Sequence, residues 1–261
     1  MSAQDPNYAR SFGIHSIAAA IIFTIVYIPL GIWFLMQSFG HPTYVFGVLT
    51  LFCAIRIAAF IIRAVLAGSG SAGRSLGLLI ADEVLFGVGF FGLLYSAYTL
   101  VLDRWSLTAM LPSRDRTSLM KRRIFRLALT IAVALGIAGT SQATSNQPHK
   151  GNSLRIAADI IFLILTVILA YQTLLLSCLE IRESESYRSS YSLGKHYGAY
   201  ILCVIALLLL VREGFSTAMV FDYATQYNEK LWYPLYALPE VLAVMMFTTP
   251  GLVPSRSELP T

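Results

Sequence analysis

Charge is scarce in this sequence. Asp, Glu, Lys and Arg together make up 13% of the 261 residues while 56% are hydrophobic, and a mean hydropathy of +0.67 excludes a water-soluble globular chain of this size. Cysteine is scarce too. Cys53, Cys178 and Cys203 fall in or beside apolar runs, where cysteine behaves as a small hydrophobe, so no disulfide framework is implied. His15, His41, His149 and His196 are scattered and share no metal-ligand spacing with the cysteines. There is no H-E-x-x-H and no G-x-S-x-G, so the expectation is no metal, no cofactor and no enzymatic activity. Asn7, Asn146, Asn152 and Asn228 open no glycosylation sequon. The first dozen residues, MSAQDPNYARSF, lack a basic leader and a small-residue cleavage signal, so the first apolar run is expected to stay as a helix.

What is present is a series of long apolar runs separated by short polar blocks. A helix crossing about 30 Å of hydrocarbon needs roughly 20 mainly apolar residues, and seven stretches meet this: Ile14 to Met36, Tyr44 to Leu66, Ser75 to Leu102, Ile124 to Thr140, Leu154 to Cys178, Tyr197 to Val211 and Leu231 to Leu252. The sequence therefore predicts an all-α fold, one integral membrane seven-helix bundle over residues 1–261. Gly, Pro, Ser and Asn punctuate the loops. Pro29, and Pro234, Pro239 and Pro250 around the last run, are expected to kink their helices.

The net charge of +5 follows from basic residues flanking the spans, so membrane lipids are the expected partner and nucleic acid is not. Lys and Arg are unevenly shared between the two sides. With seven spans, the loops after the first, third and fifth carry Arg104, Arg114, Arg116, Lys121, Arg122, Arg123, Arg182, Arg188 and Lys195, and Arg256 follows in the C-terminal tail. The other side has Arg10, Arg74, Lys150 and Lys230. The positive-inside rule then puts the N-terminus outside or in the lumen and the C-terminus in the cytosol.

Ionisable residues inside apolar helices are costly and point to function by default, each with a partner to be named. Arg56 and Arg63 lie seven residues apart on the second run, nearly on one face. Asp82 and Glu83 lie on the third, Arg155 and Asp159 on the fifth, Arg212 and Glu213 at the end of the sixth, and Glu240 on the seventh. With the orientation above, all fall in the outer half. Four arginines against five carboxylates nearly cancel, as an ion-paired network in low dielectric requires. The expected pairs are Arg56 with Glu240 or Asp82, and Arg63 with Glu83. Such a network only locks the helices in register, lines a polar pocket for a small ligand, or forms a proton relay.

The loop from Asp103 to Arg123 is the most basic segment, with Arg104, Arg114, Arg116, Lys121, Arg122 and Arg123. Its expected roles are contact with anionic lipid and docking of a cytosolic partner. Asp103-Arg104-Trp105 resembles the acidic-Arg-aromatic triplet of rhodopsin-like receptors, but the last run, YPLYALPEVLAVMMF, carries no Asn-Pro-x-x-Tyr and no lysine.

The runs IVYIPLGIWFLM, LFCAIRIAAFIIRAVLAGS, LLVREGFSTAMVFD and WYPLYALPEVLAVMMFTTPGLVP together resemble a group of uncharacterised fungal seven-helix membrane proteins. A more distant likeness is to the fungal resistance-to-aminocholesterol family of lipid-translocating-exporter-like proteins. The nearer resemblance implies a fold, a membrane location and a fungal origin; the farther one implies lipid export. Three functions are open at this point: a receptor-like sensor binding a small amphiphile in an outer-half polar pocket, a lipid or amphiphile transporter, and a structural scaffold with no ligand. The expected location is a plasma membrane or an endomembrane.

Overall fold

The computed structural model describes residue 9 and residues 13–40, 42–108, 116–143, 148–183, 197–221 and 229–254. Every regular element among them is helical. The first six are α1 (Ile17–Gly40), α2 (Tyr44–Gly68), α3 (Leu76–Thr108), α4 (Arg116–Ala143), α5 (Pro148–Glu183) and α6 (Gly198–Phe221). A short 3-10 turn, Ala72–Arg74, joins α2 to α3. All six helices are long and apolar enough to cross a membrane.

The seventh run, expected over Leu231 to Leu252 with kinks at its prolines, forms α7 (Glu229–Trp232), a π-helical turn (Tyr233–Ala237) and α8 (Leu238–Met246). Two prolines account for the interruption. Pro234 and Pro239 have no N–H to donate into an α-helical ladder, and the Leu238 N–H reaches back to the Tyr233 carbonyl, the wider step of a π turn.

The sixth run differs from expectation. The sequence bounds it at Tyr197 to Val211, whereas α6 continues through buried Arg212 and Glu213 to Phe221. Charge ends a membrane helix only where it faces lipid, and these two side chains face inward to partners. The fourth and fifth helices are longer than read, and Pro148 opens α5 at the one helical position where a missing N–H costs nothing.

Each long helix packs against its neighbour in sequence, and α8 closes the arrangement by lying against α6 and α1. The third helix is central and touches α2, α4, α5 and α6. The core is correspondingly aromatic, with Phe52, Phe60, Phe90, Phe247 and Tyr27 fully buried. Outward faces are apolar: Ile22, Ile25, Ile32 and Met36 on α1 and Leu51 and Ile61 on α2 are exposed. In water such a surface would aggregate; in a bilayer it is the solvated face, and the helices keep their backbone polar groups paired internally. This is a membrane-embedded protein.

One end of the bundle gathers the starts of α1, α3, α5 and α7 and the ends of α2, α4 and α6. It is held in part by Glu229, whose carboxylate accepts hydrogen bonds from the backbone N–H groups of His15 (3.0 Å) and Ser16 (2.9 Å). A carboxylate there satisfies orphan donors of the α1 N-terminus and sits at the positive end of its dipole.

Candidate functional site: a buried ionic cavity

The nine charges singled out in the helices lie between that end and the middle of the bundle, Arg56 standing midway along α2. The α2 spacing does what its geometry requires. Arg56 and Arg63 both point inward and are buried, Arg56 completely. Arg56 bonds to both oxygens of Glu240, one at 2.6 Å. It also donates to the backbone carbonyls of Leu85 at 3.1 Å and Phe86 at 3.0 Å. Its guanidinium lies 5.0 Å from the Phe52 ring centre and 4.7 Å from that of Phe86. Charge, hydrogen bonds and ring faces together offset the cost of taking this cation out of water.

Glu240 is the hub. Besides Arg56 it accepts a hydrogen bond from the Tyr27 hydroxyl at 3.1 Å, and Arg212 Nε stands 3.6 Å from its second oxygen. Arg212 is itself paired with Glu213 and donates to the Tyr236 hydroxyl. Its guanidinium stacks on Phe90 at 3.8 Å and Tyr236 at 4.0 Å.

Arg63 pairs with Asp82 at 3.2 Å, where Glu83 was expected. Adjacent residues on a helix point about 100° apart. Asp82 turns toward α2, and Glu83 turns away to meet Arg155 at 3.4 Å. Arg63 also lies 3.7 Å over the ring of Trp232. Asp159, one turn along α5 from Arg155, has no hydrogen bond and no ion pair among the described residues; the charged groups around it are Arg155, Arg212 and Glu83.

These groups surround a cavity of about 190 Å³. Its polar wall is Arg63, Asp82, Glu83, Arg155, Asp159, Arg212 and Glu213, and its aromatic wall is Phe86, Phe90, Phe162, Trp232 and Tyr236. A void this size with polar lining holds several waters or the head of a small organic molecule. Four side-chain atoms of its wall are buried without a hydrogen-bond partner: Arg63 Nε, Asp82 Oδ1, Arg212 Nε and Glu213 Oε1. Among the described residues, no three His, Cys, Asp or Glu side chains come close enough to hold a metal ion, so the chemistry of the site is ion pairing and hydrogen bonding in low dielectric.

Three contributors gave no signal in the sequence. Tyr27 and Tyr236 sit within apolar runs, where tyrosine reads as a core or interface residue. Gly89 leaves the slot for Arg56, because a Cβ there would lie 2.8 Å from the guanidinium nitrogen Nη1. A glycine inside an apolar helix is one available hint of close approach.

The basic segment lies at the opposite end. Arg122 pairs with Asp103, and Arg123 is exposed. Arg104 is half-buried. Arg114 lies outside the described residues, and so do the side chains of Arg116 and Lys121.

With this geometry fixed, comparison adds a family. One described as a domain of unknown function, DUF7702, matches residues 13–256. The chain belongs to the DUF7702 family. The matched residues take in every member of the ionic cavity, from Arg56 to Glu240, so in this DUF7702 chain the network is part of the family's domain and not an appendage to it. The family brings no activity with it. No curated protein and no solved structure matches the chain.

Proposed function

We propose that this chain is a receptor-like membrane protein that binds a small amphiphile in the ionic cavity and is not an enzyme. In this reading the interrupted segment from Glu229 to Leu252 is a seventh crossing, the N-terminus is outside, and the cavity opens toward the outer side. The segment from Asp103 to Arg123 is then the cytosolic face that meets a partner.

One observation carries the reading. The four unpartnered atoms, Arg63 Nε, Asp82 Oδ1, Arg212 Nε and Glu213 Oε1, belong to residues that line one cavity. Each unsatisfied buried polar atom costs about 1–3 kcal/mol, and packing that served only to hold helices together would have closed the space around them. A guest that donates to the carboxylate oxygens relieves part of that cost.

The cavity can be filled from its own wall. Gly87 lines it, and a Cβ placed there meets nothing within 4 Å. Gly87→Leu is therefore expected to occupy the cavity without a clash and to leave the unliganded melting temperature unchanged or higher, since Gly in a helix costs about 0.5–1 kcal/mol relative to Ala. Purified full-length protein is melted with single-chain lipids of cationic, zwitterionic, anionic and neutral headgroup. A binder at a hundredfold excess over its Kd stabilises wild type by about 2.7 kcal/mol, and Gly87→Leu removes that gain. A gain that persists in Gly87→Leu, or the absence of any gain, sinks the reading and leaves the scaffold. Movement of the bound lipid across a vesicle membrane would assign the site to a transporter instead.

A further inference from the structure

The cavity's own arginines and carboxylates do not balance, and the imbalance names the ligand's charge. Arg63 is matched by Asp82 and Arg155 by Glu83. Arg56 and Arg212 are matched by Glu240 and Glu213. Among the described residues Asp159, half-buried, is left over. The two cations nearest it, Arg155 and Arg212, are each already engaged by another carboxylate. A carboxylate without its own countercharge inside a bundle in hydrocarbon is far costlier than a paired one, so the site as built is complete only with one further positive charge.

The form of that charge follows from the remaining acceptors. Asp82 Oδ1 and Glu213 Oε1 are buried and unpartnered, in residues 2% and 0% exposed. Of the two, Glu213 stands near Asp159, so the cavity wall carries two neighbouring carboxylates with spare acceptor capacity. A protonated primary amine offers three N–H donors. A bare metal ion does not suit the site: the carboxylates are not gathered closely enough to ligate one, and about 190 Å³ far exceeds what an ion fills. A lone proton would neutralise Asp159 but leave the Glu213 oxygen and the space unused. An anion would add to the surplus. Val88, Val133 and Ile137 also line the cavity, beside its aromatic side chains, and suit a short hydrocarbon body.

Resting on the reading that the cavity takes a ligand, we propose that it selects amphiphiles whose polar end is a single protonated amine, anchored on Asp159 with Glu213. Because no ion pair among the described residues depends on Asp159, Asp159→Asn is expected to fold, and it keeps the size of the side chain while removing its charge.

The test uses purified full-length protein and three probes of equal chain length: hexylamine, hexanol and hexanoate. Binding is read by titration and by melting. Hexylamine is expected to bind wild type roughly ten- to a hundredfold more tightly than hexanol, the range of one hydrogen-bonded charge, and hexanoate not at all. Asp159→Asn removes the amine's advantage over hexanol, and Gly87→Leu removes binding of both. Hexanol or hexanoate binding as tightly as hexylamine, in a manner that Gly87→Leu blocks, overturns the amine and keeps the cavity as a ligand site. Absence of any Gly87-sensitive binding overturns both. The wild-type series decides between amine and neutral ligand even if Asp159→Asn should fail to fold. Amine binding that both variants leave untouched places it elsewhere and overturns the proposal.

Discussion

Arg56→Ala is expected to destabilise the protein by about 3–5 kcal/mol, the cost of breaking a buried ion pair from one side. The loss has little to do with the attraction itself. Without the guanidinium, Glu240 keeps only the Tyr27 hydroxyl at 3.1 Å and an arginine nitrogen at 3.6 Å, so a nearly bare carboxylate remains 1% exposed in the core. A cavity between Phe52 and Phe86 is added to that. Removing both charges is a different experiment. Arg56→Met with Glu240→Gln restores volume and leaves a neutral amide beside Tyr27, and the pair is expected to cost less than Arg56→Ala alone. Denaturation of the purified variants in mixed micelles measures both. Losses that simply add would show that the two residues act separately, and a loss below about 1 kcal/mol for Arg56→Ala would put the pair in the class of surface salt bridges.

How much of this was legible in the sequence depends on what each feature needs to be read. Six helices were visible because hydrophobic length is a local property: about 20 apolar residues need no knowledge of the neighbours. The face of α2 was visible for the same reason, since seven residues fix the angle between Arg56 and Arg63. Partner choice was not. Asp82 and Glu83 are adjacent, both acidic and equally close to Arg63 along the chain, and only the packing of α3 against α2 and α5 separates them. The end of α6 failed similarly, because Arg212-Glu213 reads as a polar boundary unless Tyr236, Phe90 and Glu240 are known to wait on the inner side. Orientation and ligand rest on comparison of loops and on the cavity, and neither follows from one helix at a time.

The last segment shows why its interruption matters to the site. Trp232, Tyr236 and Glu240 touch Arg63, Arg212 and Arg56 respectively, and they are spaced by four. In a regular α-helix each four-residue step drifts by about 40° around the axis, so two steps would carry Glu240 well away from the face that holds Trp232. The π turn at Tyr233–Ala237 widens one of those steps and offsets much of the drift. Three residues that each cap an arginine are thereby kept on one inner face. The prolines that make the π turn and the carboxylate that anchors the network belong to the same short stretch, YPLYALPE.

Gly139→Ala is expected to destabilise the protein by about 3 kcal/mol, the upper end of what overpacking costs. The added methyl would lie 2.8 Å from both Cγ and the backbone nitrogen of Arg155 and 2.9 Å from the Gly151 carbonyl. Two of those three atoms are backbone and cannot rotate aside, so α4 and α5 must separate. Close approach of membrane helices at small residues is what such a glycine provides. Gly136, one turn earlier on the same helix, supplies the control: a methyl there meets only the Ala158 Cβ, at an ordinary 3.7 Å. Gly136→Ala is therefore expected to melt at or slightly above the wild-type temperature, gaining about 0.5–1 kcal/mol of helix preference. The two variants differ further in ligand binding. Separation of the helices at Gly139 moves Arg155, which holds Glu83 at 3.4 Å on the cavity wall, so Gly139→Ala should lose hexylamine binding along with stability. Equal melting temperatures for the two alanine variants would mean that α4 and α5 do not approach as closely as this packing requires.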